Sequence, residues 1–377
     1  ERYISLMRDI PDTPLKIAIV AGEKSGDELG APLMKSLKSI NPSIEFIGVG
    51  GSKMASEGLE SYFEMNEISV MGIIEPLLNL RKLLKLRKGL KKFLLHHKPD
   101  IFIGIDSPDF NLPIANFLKK NLQIKTIQYV SPSVWAWRKG RIKSMESSID
   151  SVLTLFPFEE TAYSNSKIKT CYVGHPLSYK IDITNMEIES KVQNSIALLP
   201  GSRTSEILLM GDLMIKAAKK LKLMNPNYQF FMPLSDASHL ELFKEDMKEF
   251  INITYENSQD ILKKSSMAII TSGTATLEAA LSFTPCIAVY KTNWLSYLLI
   301  KPLLHIDSFS LPNLILGKKI LPELLQSEAT IEKIISSVNL LEDRGFEFYR
   351  KEFTFIKEKL KAGGADKASI EVLKLLN

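Results

Sequence analysis

The chain has 377 residues, 45% of them hydrophobic and 24% charged, a composition typical of a globular protein of about two domains. Nowhere does the sequence approach the roughly 18 consecutive apolar residues that a membrane-spanning helix needs. Two cysteines are too few for a disulfide framework, and a net charge of +5 is too small to indicate a nucleic-acid-binding protein. The polar first 14 residues lack the apolar core of a secretory signal, so we expect a cytoplasmic protein.

Short apolar runs alternate with helical patterns along the whole chain. This alternation predicts parallel strands covered by helices on both faces, an α/β architecture of two doubly wound, Rossmann-like domains. The strands predicted for the first domain are residues 16–21, 44–49, 101–105, 125–130, 151–156 and 170–173. Those predicted for the second are residues 194–199, 228–233, 251–254, 267–271 and 286–290.

A polar stretch over residues 179–193 without a clear strand predicts the linker between the domains. We therefore assign residues 1–177 to the first domain and residues 178–349 to the second. The helical tail, from about residue 350 to 377, is expected to pack back on the first domain. Ligands of open α/β sheets bind beyond the carboxyl ends of the strands, so we expect the chemistry in loops that face a cleft between the domains.

Two loops of the first half carry polar side chains directly after a predicted strand. Residues 22–27 read GEKSGD, a glycine-bearing turn that opens a helix and suits an anion or a hydroxyl-rich group. Residues 104–111 read GIDSPDFN, with carboxylates at Asp106 and Asp109. A general base must stand where substrate can reach it, which favours Asp106, whereas Asp109 is expected to cap the following helix.

The second half repeats the arrangement of strand, glycine turn and helix twice. Residues 199–206 read LPGSRTSE and offer backbone N–H groups, a hydroxyl and a guanidinium to one anion. Residues 271–278 read TSGTATLE and supply a second anion-binding helix start with a carboxylate one turn in. Together they predict a nucleotide diphosphate-sugar site. The five histidines lack metal-ligand spacing, so no metal is expected.

Residues 81–98 contain eight Lys or Arg and no acidic residue. With the apolar residues at helical spacing, this predicts a basic amphipathic helix that binds an anionic membrane surface. A core-facing helix with a solvated basic face remains the alternative, and nucleic acid is disfavoured because no aromatic residues interleave with the charges. The predicted membrane-facing residues are Ile74, Leu77, Leu80, Leu83 and Leu84.

Taken in order, these loops resemble the lipid-A-disaccharide synthases, bacterial glycosyltransferases of the GT-B type. The resemblance covers nearly the whole chain from about residue 16. Its motifs here are GEKSGD at 22–27, SVMGI at 69–73, GIDSPDFN at 104–111, YVSPSVWAWR at 129–138, LPGSR at 199–203, SGTA at 272–275 and SLPNL at 310–314.

The resemblance implies transfer of 2,3-diacylglucosamine from UDP to the 6-hydroxyl of 2,3-diacylglucosamine 1-phosphate (lipid X), with inversion and without cofactor or metal. It implies a peripheral enzyme on the cytoplasmic face of the inner membrane and leaves open whether the chain forms a homo-oligomer. The implied roles are general base for Asp106, diphosphate binding for Arg203, Ser202, Ser272, Gly273 and Thr274, ribose binding for Glu278, donor contacts for Asn313 and Gln326, and sugar contacts for Glu23 and Ser25.

Two alternatives stay open. Another two-domain UDP-sugar protein, such as a UDP-N-acetylglucosamine 2-epimerase or the peptidoglycan glycosyltransferase, would share the fold but would not need the basic apolar helix. A non-catalytic carrier of lipid or nucleotide would bind UDP yet leave Asp106 dispensable.

Overall fold

The computed structural model describes residues 14–68, 76–132, 139–201, 204–243, 247, 249–271, 273–291 and 308–376. The side chains of residues 76–80 and 139 are outside this description. Contacts within the chain divide it into two compact units. Glu1–Pro176 and Lys361–Asn377 form the first unit, and Leu177–Leu360 forms the second.

The first unit contains a parallel sheet whose described strands run in the order β3-β2-β1-β4-β5-β6-β7. Its strands are β1 Lys16–Ala21, β2 Glu45–Val49, β3 Glu60–Ser61, β4 Ile101–Ile105, β5 Lys125–Tyr129, β6 Ser151–Thr154 and β7 Lys169–Tyr172. Its helices are α1 Lys24–Ile40, α2 Ser52–Ser56, α3 Pro76–His97, α4 Pro108–Leu122 and α5 Lys139–Met145, with a 3-10 turn at Glu160–Tyr163.

The second unit repeats this plan with the strand order β10-β9-β8-β11-β12-β13, again all parallel. Its strands are β8 Val192–Leu199, β9 Gln229–Pro233, β10 Ile251–Thr254, β11 Ser265–Thr271, β12 Cys286–Tyr290 and β13 Glu323–Leu325. Its helices are α6 Leu177–Lys180, α7 Asn185–Glu189, α8 Thr204–Met224, α9 Ser258–Lys264, α10 Thr274–Leu281, α11 Leu311–Leu316, α12 Ile331–Arg344 and α13 Phe346–Leu360. Helix α14, Gly364–Leu376, returns to the first unit.

The central strands are apolar because helices cover both faces of each sheet. Every residue of β1 after Lys16 is buried, and β4 is buried throughout. In the second unit, residues 196–199 of β8 and 267–271 of β11 are buried in the same way. The predicted α/β class with two doubly wound sheets is therefore confirmed.

The strand order reverses at one place in each sheet. In the first unit β1 pairs with β2 on one side and β4 on the other, and in the second unit β8 pairs with β9 and β11. Where the order reverses, the connections leave the sheet in opposite directions and a crevice opens beyond the strand ends. The loops after β1 and β4 border one crevice, and the loops after β8 and β11 border the other.

The chain returns from the second unit to the first at a later residue than the sequence predicts. Helix α13 belongs to the second unit, where it contacts α10, α11 and α12 and buries Tyr349, Phe353, Ile356 and Leu360. The chain returns at Lys361 and not near residue 350, because the break falls at Gly363 and Gly364, which both adopt positive φ. Of the two tail helices α13 and α14, it is α14 that packs on α1.

Two further differences concern short elements. The edge strands β3 and β13 span two and three residues, too few for an apolar pattern to reveal them. The predicted linker, residues 179–193, contains the end of α6, the whole of α7 and the first two residues of β8. Helix α7 begins with a capping box in which the Thr184 side chain accepts from the Glu187 N–H and the Glu187 carboxylate accepts from the Thr184 N–H. None of the helices in the described ranges is long and apolar enough to cross a membrane.

A buried carboxylate fixes the turn after β2. Asp27 of α1 is 4% exposed and accepts hydrogen bonds from the N–H groups of Gly51 (2.9 Å), Lys53 (3.1 Å) and Met54 (2.9 Å). A Cβ at Gly51 would lie 2.5 Å from the Asp27 carboxylate, so glycine is required there. Asp27 thus satisfies the free N–H groups at the start of α2.

We expect Asp27→Ala to lower the free energy of unfolding by about 3 kcal/mol, because it leaves buried N–H donors without an acceptor. Urea denaturation followed by circular dichroism measures this. Glu28→Ala is the matched control on the same helix, since Glu28 pairs with the exposed Lys53 ammonium, and it should cost less than about 1 kcal/mol. Equal losses in the two variants would contradict the role of Asp27.

Candidate active site

The crevice of the first unit is bordered by two loops in close contact. A Cβ placed on Gly22 would lie 2.5 Å from Ser107 Oγ and 3.1 Å from the Ile68 side chain, so only glycine lets the loops after β1 and β4 approach this closely. Glu23 and Ser25 follow Gly22 and are both exposed. The structure therefore brings the predicted sugar contacts to the same crevice as the predicted base.

Asp106 is the first residue after β4 and is half-buried. Its backbone is left-handed, with φ of 50°, and Ser107 follows at 38°. Non-glycine residues adopt this conformation at a cost, and such residues are enriched at functional sites. The Asp106 N–H donates to the carbonyl of Tyr129 at 2.8 Å. Burial raises the pKa of the Asp106 carboxyl, partly opposed by a hydrogen bond from the Ser107 N–H, and a raised pKa makes the carboxylate a stronger base.

Asp109 differs from Asp106 in exposure and in partners. Its side chain is 84% exposed and forms an ion pair with Arg141, while its carbonyl accepts from Arg87 at 3.0 Å. The predicted capping role is wrong, because Ser107 occupies the N-cap position of α4 and Asp109 lies in the first turn. The negative charge there interacts favourably with the helix dipole.

The crevice of the second unit opens into a cavity of about 890 Å³. Gly201 after β8 and Gly273 after β11 both line it, with φ of 116° and 150° that side chains rarely adopt. A Cβ on Gly201 would also lie 2.5 Å from the Glu206 carboxylate, which folds back over the turn. The volume is in the range of small-molecule sites.

Helix α10 begins inside this cavity. Its N-cap residue is Gly273, which has no side chain to cap the first turn, so the N–H groups of Thr274 and Ala275 are available to an anion. The Thr271 hydroxyl at the end of β11 also lines the cavity and is buried without a partner among the described residues. This arrangement suits a phosphate group.

Glu278 lies one turn into α10 and lines the same cavity. Burial raises the pKa of its carboxyl, and a hydrogen bond from the Gln259 side chain partly opposes the shift. A half-buried carboxylate next to an anion-binding helix start can accept hydrogen bonds from the hydroxyls of a ribose or sugar. The predicted residues Gly273, Thr274 and Glu278 are thus brought together.

Several lining residues were not predicted from the sequence. They lie at or just after the ends of β9, β10 and β12, and the rule that ligands lie beyond strand ends could have indicated them. They are Ser235, Tyr255, Asn257, Ser258 and Tyr290. Tyr255 is 57% exposed, so its ring is available to a flat group such as a nucleobase.

Asn313 and Gln326 are not among the residues that line the cavity. The Asn313 amide donates to the Leu321 carbonyl and to Glu323 Oε1, and its oxygen accepts from the Ile320 and Leu321 N–H groups, all within 3.0 Å. These contacts favour a structural role, and the donor contact stays a prediction that they do not support. Gln326 follows β13 with φ of 53°.

Glu323 completes this turn and was missed in the sequence. Its Oε1 accepts from the Ser310 N–H at 2.8 Å and from the Ser308 hydroxyl, which fixes the start of α11. The roles predicted for Ser202, Arg203 and Ser272 concern residues outside the described ranges. Within those ranges no three His, Cys, Asp or Glu side chains are grouped as a metal site requires, and the absence of a metal stays a prediction.

Two solved structures similar to this chain show the class to which the fold belongs. The glycotransferase of kitacinnamycin matches with a TM-score of 0.64 and 14% identity, over 97% of this chain and 100% of that one. UDP-GlcNAc 2-epimerase from Neisseria meningitidis, bound to UDP-GlcNAc, matches with a TM-score of 0.59 and 13% identity, over 96% and 99%. The fold is the GT-B fold of glycosyltransferases, with two Rossmann-like domains.

Sequence similarity identifies the family within this class. A family model described as lipid-A-disaccharide synthetase matches residues 17–361. The lipid-A-disaccharide synthase of Idiomarina loihiensis is 42% identical over 369 residues, 94% of this chain and 97% of that protein. That of Pseudomonas fluorescens strain Pf0-1 is 40% identical over 371 residues, 96% and 98%. The chain belongs to the lipid-A-disaccharide synthase family and is a glycosyltransferase, as the motifs predicted.

Asp106→Asn is expected to stabilise the protein at about pH 8. Because the pKa is raised on folding, the ionised carboxylate destabilises the folded state above the folded pKa, and this penalty disappears below the unfolded pKa of about 3.9. The melting temperature should therefore rise at about pH 8, and the gain should shrink as the pH falls toward about 4. Asparagine tolerates the left-handed conformation, so the backbone strain is unchanged.

Asp109→Asn is the control for this measurement. The Asp109 carboxylate is exposed and paired, so its removal should not raise the melting temperature at either pH. A gain in both variants, or one in Asp106→Asn that does not depend on pH, would contradict the buried-charge explanation.

Proposed function

We propose that this enzyme transfers 2,3-diacylglucosamine from UDP-2,3-diacylglucosamine to the 6-hydroxyl of lipid X. The products are the β-1,6-linked disaccharide 1-phosphate and UDP. The observation that carries the mechanism is the half-buried carboxylate of Asp106 at the crevice of the first unit. Family membership supports a UDP-sugar donor and a lipid acceptor, and the exact substrates and the inversion are part of the proposal.

On the acceptor side, Asp106 is the general base. It takes the proton of the 6-hydroxyl as that oxygen bonds to the anomeric carbon of the donor. The raised pKa favours this transfer, since the carboxylate holds a proton more strongly than an exposed aspartate does. Attack from the face opposite the UDP group turns an α-linked donor into a β-linked product, so the reaction inverts. The exposed Glu23 and Ser25 side chains are candidates for contacts with the sugars.

On the donor side, the cavity of the second unit binds UDP. As the bond between the anomeric carbon and the β-phosphate oxygen breaks, negative charge develops on the diphosphate. The first turn of α10, with Thr274 and Ala275, stabilises this charge through backbone N–H groups without a metal. By their position in the motifs, Ser202, Arg203 and Ser272 contribute to the same binding. Glu278 accepts hydrogen bonds from the ribose.

Helix α3 supports binding to an anionic membrane surface. Arg81, Lys85 and Lys88 are exposed, and none forms an ion pair with a residue in the described part of the chain. Leu84 lies among them and is 46% exposed. Basic residues near exposed apolar ones bind anionic lipid, at about 1 kcal/mol for each charge. A surface of this kind would bring the enzyme to its lipid substrates.

One of the predicted membrane contacts needs correction. Leu83 is half-buried and packs against the core of the first unit, and Leu90 and Leu94 further along α3 are fully buried. The core-facing stripe of α3 therefore includes Leu83, whereas Leu84 lies on the exposed side. Ile74 is outside the described residues, and the side chains of Leu77 and Leu80 are not described. We infer a peripheral enzyme on the cytoplasmic face of the inner membrane.

The reaction is tested with UDP-2,3-diacylglucosamine and lipid X in detergent and EDTA. UDP and the disaccharide should appear together and in equal amounts. Asp106→Asn should lower the turnover rate by roughly 10²- to 10⁴-fold, because general base catalysis is worth about that much, while UDP affinity stays within a few fold. Asp109→Asn, three residues further along in the first turn of α4 and exposed, should keep most of the activity.

Other outcomes separate the alternatives. UDP release without disaccharide would indicate hydrolysis or another acceptor. UDP binding without any product would favour a carrier. A near-normal rate in Asp106→Asn would contradict the role of Asp106 and leave the reaction itself in place.

Membrane binding is tested by sedimentation with vesicles of phosphatidylglycerol and phosphatidylcholine. Changing Arg81, Lys85 and Lys88 to Gln should weaken binding roughly 100-fold, because three charges contribute about 3 kcal/mol. The effect should diminish at high salt and be absent with pure phosphatidylcholine.

Lys219, Lys319 and Lys351, exposed on the second unit, provide the control. Changing these three to Gln removes the same net charge and should leave vesicle binding within a few fold, and an equal loss would point to net charge alone. Changing Leu77, Leu80 and Leu84 to Ser should also reduce binding without unfolding the chain. Unfolding of that variant would show that the leucines belong to the core.

A further inference from the structure

We propose that Asn111 and Gln128 are positioning residues that hold the backbone of Asp106 and so direct its carboxylate. This inference rests on the proposed role of Asp106 as general base. It concerns two buried amides from different elements, α4 and β5, whose donors converge on one carbonyl oxygen. Neither amide is expected to contact substrate, because both residues are fully buried.

The geometry around Asp106 fixes its backbone at three points. The Asp106 carbonyl accepts from Asn111 Nδ2 at 2.9 Å and from Gln128 Nε2 at 2.9 Å, while the Asp106 N–H donates to the Tyr129 carbonyl at 2.8 Å. Both peptide groups flanking the Asp106 Cα are thus held in place. The direction of the Cα–Cβ bond, and with it the position of the carboxylate, follows from them.

The orientation of the two amides follows from their surroundings. Asn111 Nδ2 also lies 3.3 Å from the Ile105 carbonyl and 3.4 Å from the Val20 carbonyl, and Gln128 Nε2 lies 3.4 Å from that of Val130. Only an N–H donor can face several carbonyl oxygens, so the nitrogens must point this way. Consequently Asn111 Oδ1 and Gln128 Oε1 are buried without a partner among the described residues.

An unpartnered buried oxygen costs stability, and here the cost occurs at two side chains around one residue. Such a cost is typical of a site in which geometry serves function. The conformation that these amides hold is itself strained. Left-handed backbone costs about 1–2 kcal/mol for a non-glycine residue, and both Asp106 and Ser107 adopt it.

Gly104 makes room for this arrangement. A Cβ on Gly104 would lie 2.7 Å from Asn111 Cβ and 2.9 Å from its side-chain carbonyl carbon, so any other residue would displace Asn111. The residues of the motif GIDSPDFN can therefore be explained by their contacts. Gly104 leaves space for Asn111, and Asn111 donates to the Asp106 carbonyl. The first turn of α4, between Asp106 and Asn111, sets the distance between these two residues along the chain.

The test compares Asn111→Ala and Gln128→Met with Asn116→Ala. Each of the first two should lower kcat roughly 100-fold, because a displacement of about 1 Å at a reacting group costs about that much. UDP affinity should change little, and both variants should remain folded at the assay temperature although the lost buried hydrogen bond lowers the melting temperature. Asn116, on the same helix, donates to the Ser147 and Ser148 hydroxyls, so its replacement should leave kcat within a few fold.

A second comparison separates positioning from a general structural role. In the Asp106→Asn background the two changes should have little further effect on the residual rate, because they act through the Asp106 carboxylate. An equal effect in both backgrounds would overturn the proposal, as would a normal kcat in either single variant. If Asn111→Ala does not fold, Gln128→Met decides by the same criteria.

If the proposed role of Asp106 as general base is wrong, the experiment gives a different result from a failure of the positioning role alone. In that case Asp106→Asn alone would keep a near-normal rate, and the two amides would have no catalytic group to position. A loss of turnover in Asp106→Asn, combined with a normal rate in folded Gln128→Met, would reject only the positioning role.

Discussion

The reversal of strand order at β1 and at β8 is the constraint on which both candidate sites depend. The carboxyl ends of parallel strands all lie at the same end of the sheet, and successive connecting helices normally pack on the same face. At the strand where the order reverses, the connections on its two sides pack on opposite faces, and a crevice opens between them beyond the strand ends. In the first unit the opening lies between Gly22 and Asp106, and in the second between Gly201 and Gly273. The position of the chemistry is thus a result of topology before any functional side chain is considered.

The two openings have different electrostatic character. The first holds a carboxylate whose pKa is raised by burial, next to a helix whose N-cap residue, Ser107, is in the left-handed conformation. The second offers uncapped N–H groups at the start of α10, which attract negative charge. A glycosyl transfer needs both properties, a base for the incoming hydroxyl and a stabilised anion for the leaving group. In the proposed mechanism the same topology, used twice, supplies them through different loop residues.

Periodicity was sufficient to locate the sheets, and β1, β4, β10 and β12 have the bounds that the sequence predicts. For β1, β4 and β12 the reason is that central parallel strands are buried on both faces and therefore apolar. The rule about strand ends led to Asp106 and Glu278, which border the two crevices. The rule could not show which way a side chain points or which group it contacts. Asn313 belongs to a conspicuous motif, yet its amide is used by a turn closed through Glu323, ten residues further along.

The same limit applies to the other differences. Leu83 and Leu84 are adjacent in the basic helix, and only the rotation of that helix on the core distinguishes the half-buried residue from the exposed one. The partners of Asp106 were equally hidden, because Gln128 lies within an otherwise ordinary buried strand. Such contacts depend on how elements separated in sequence meet, which a pattern along one segment does not contain.

The return of the chain to the first unit has a consequence for the order of synthesis. Helix α14 contributes Ala368, Val372 and Leu373 to the core of the first unit, and Ser36 on α1 donates to the Asp366 carboxylate at 2.7 Å. A ribosome makes this helix after the whole of the second unit. The continuous second unit can therefore complete its core first. The first unit, although its synthesis begins earlier, keeps one face of α1 uncovered until α14 has been made. An early stop in translation would leave the second unit whole and the first unfinished.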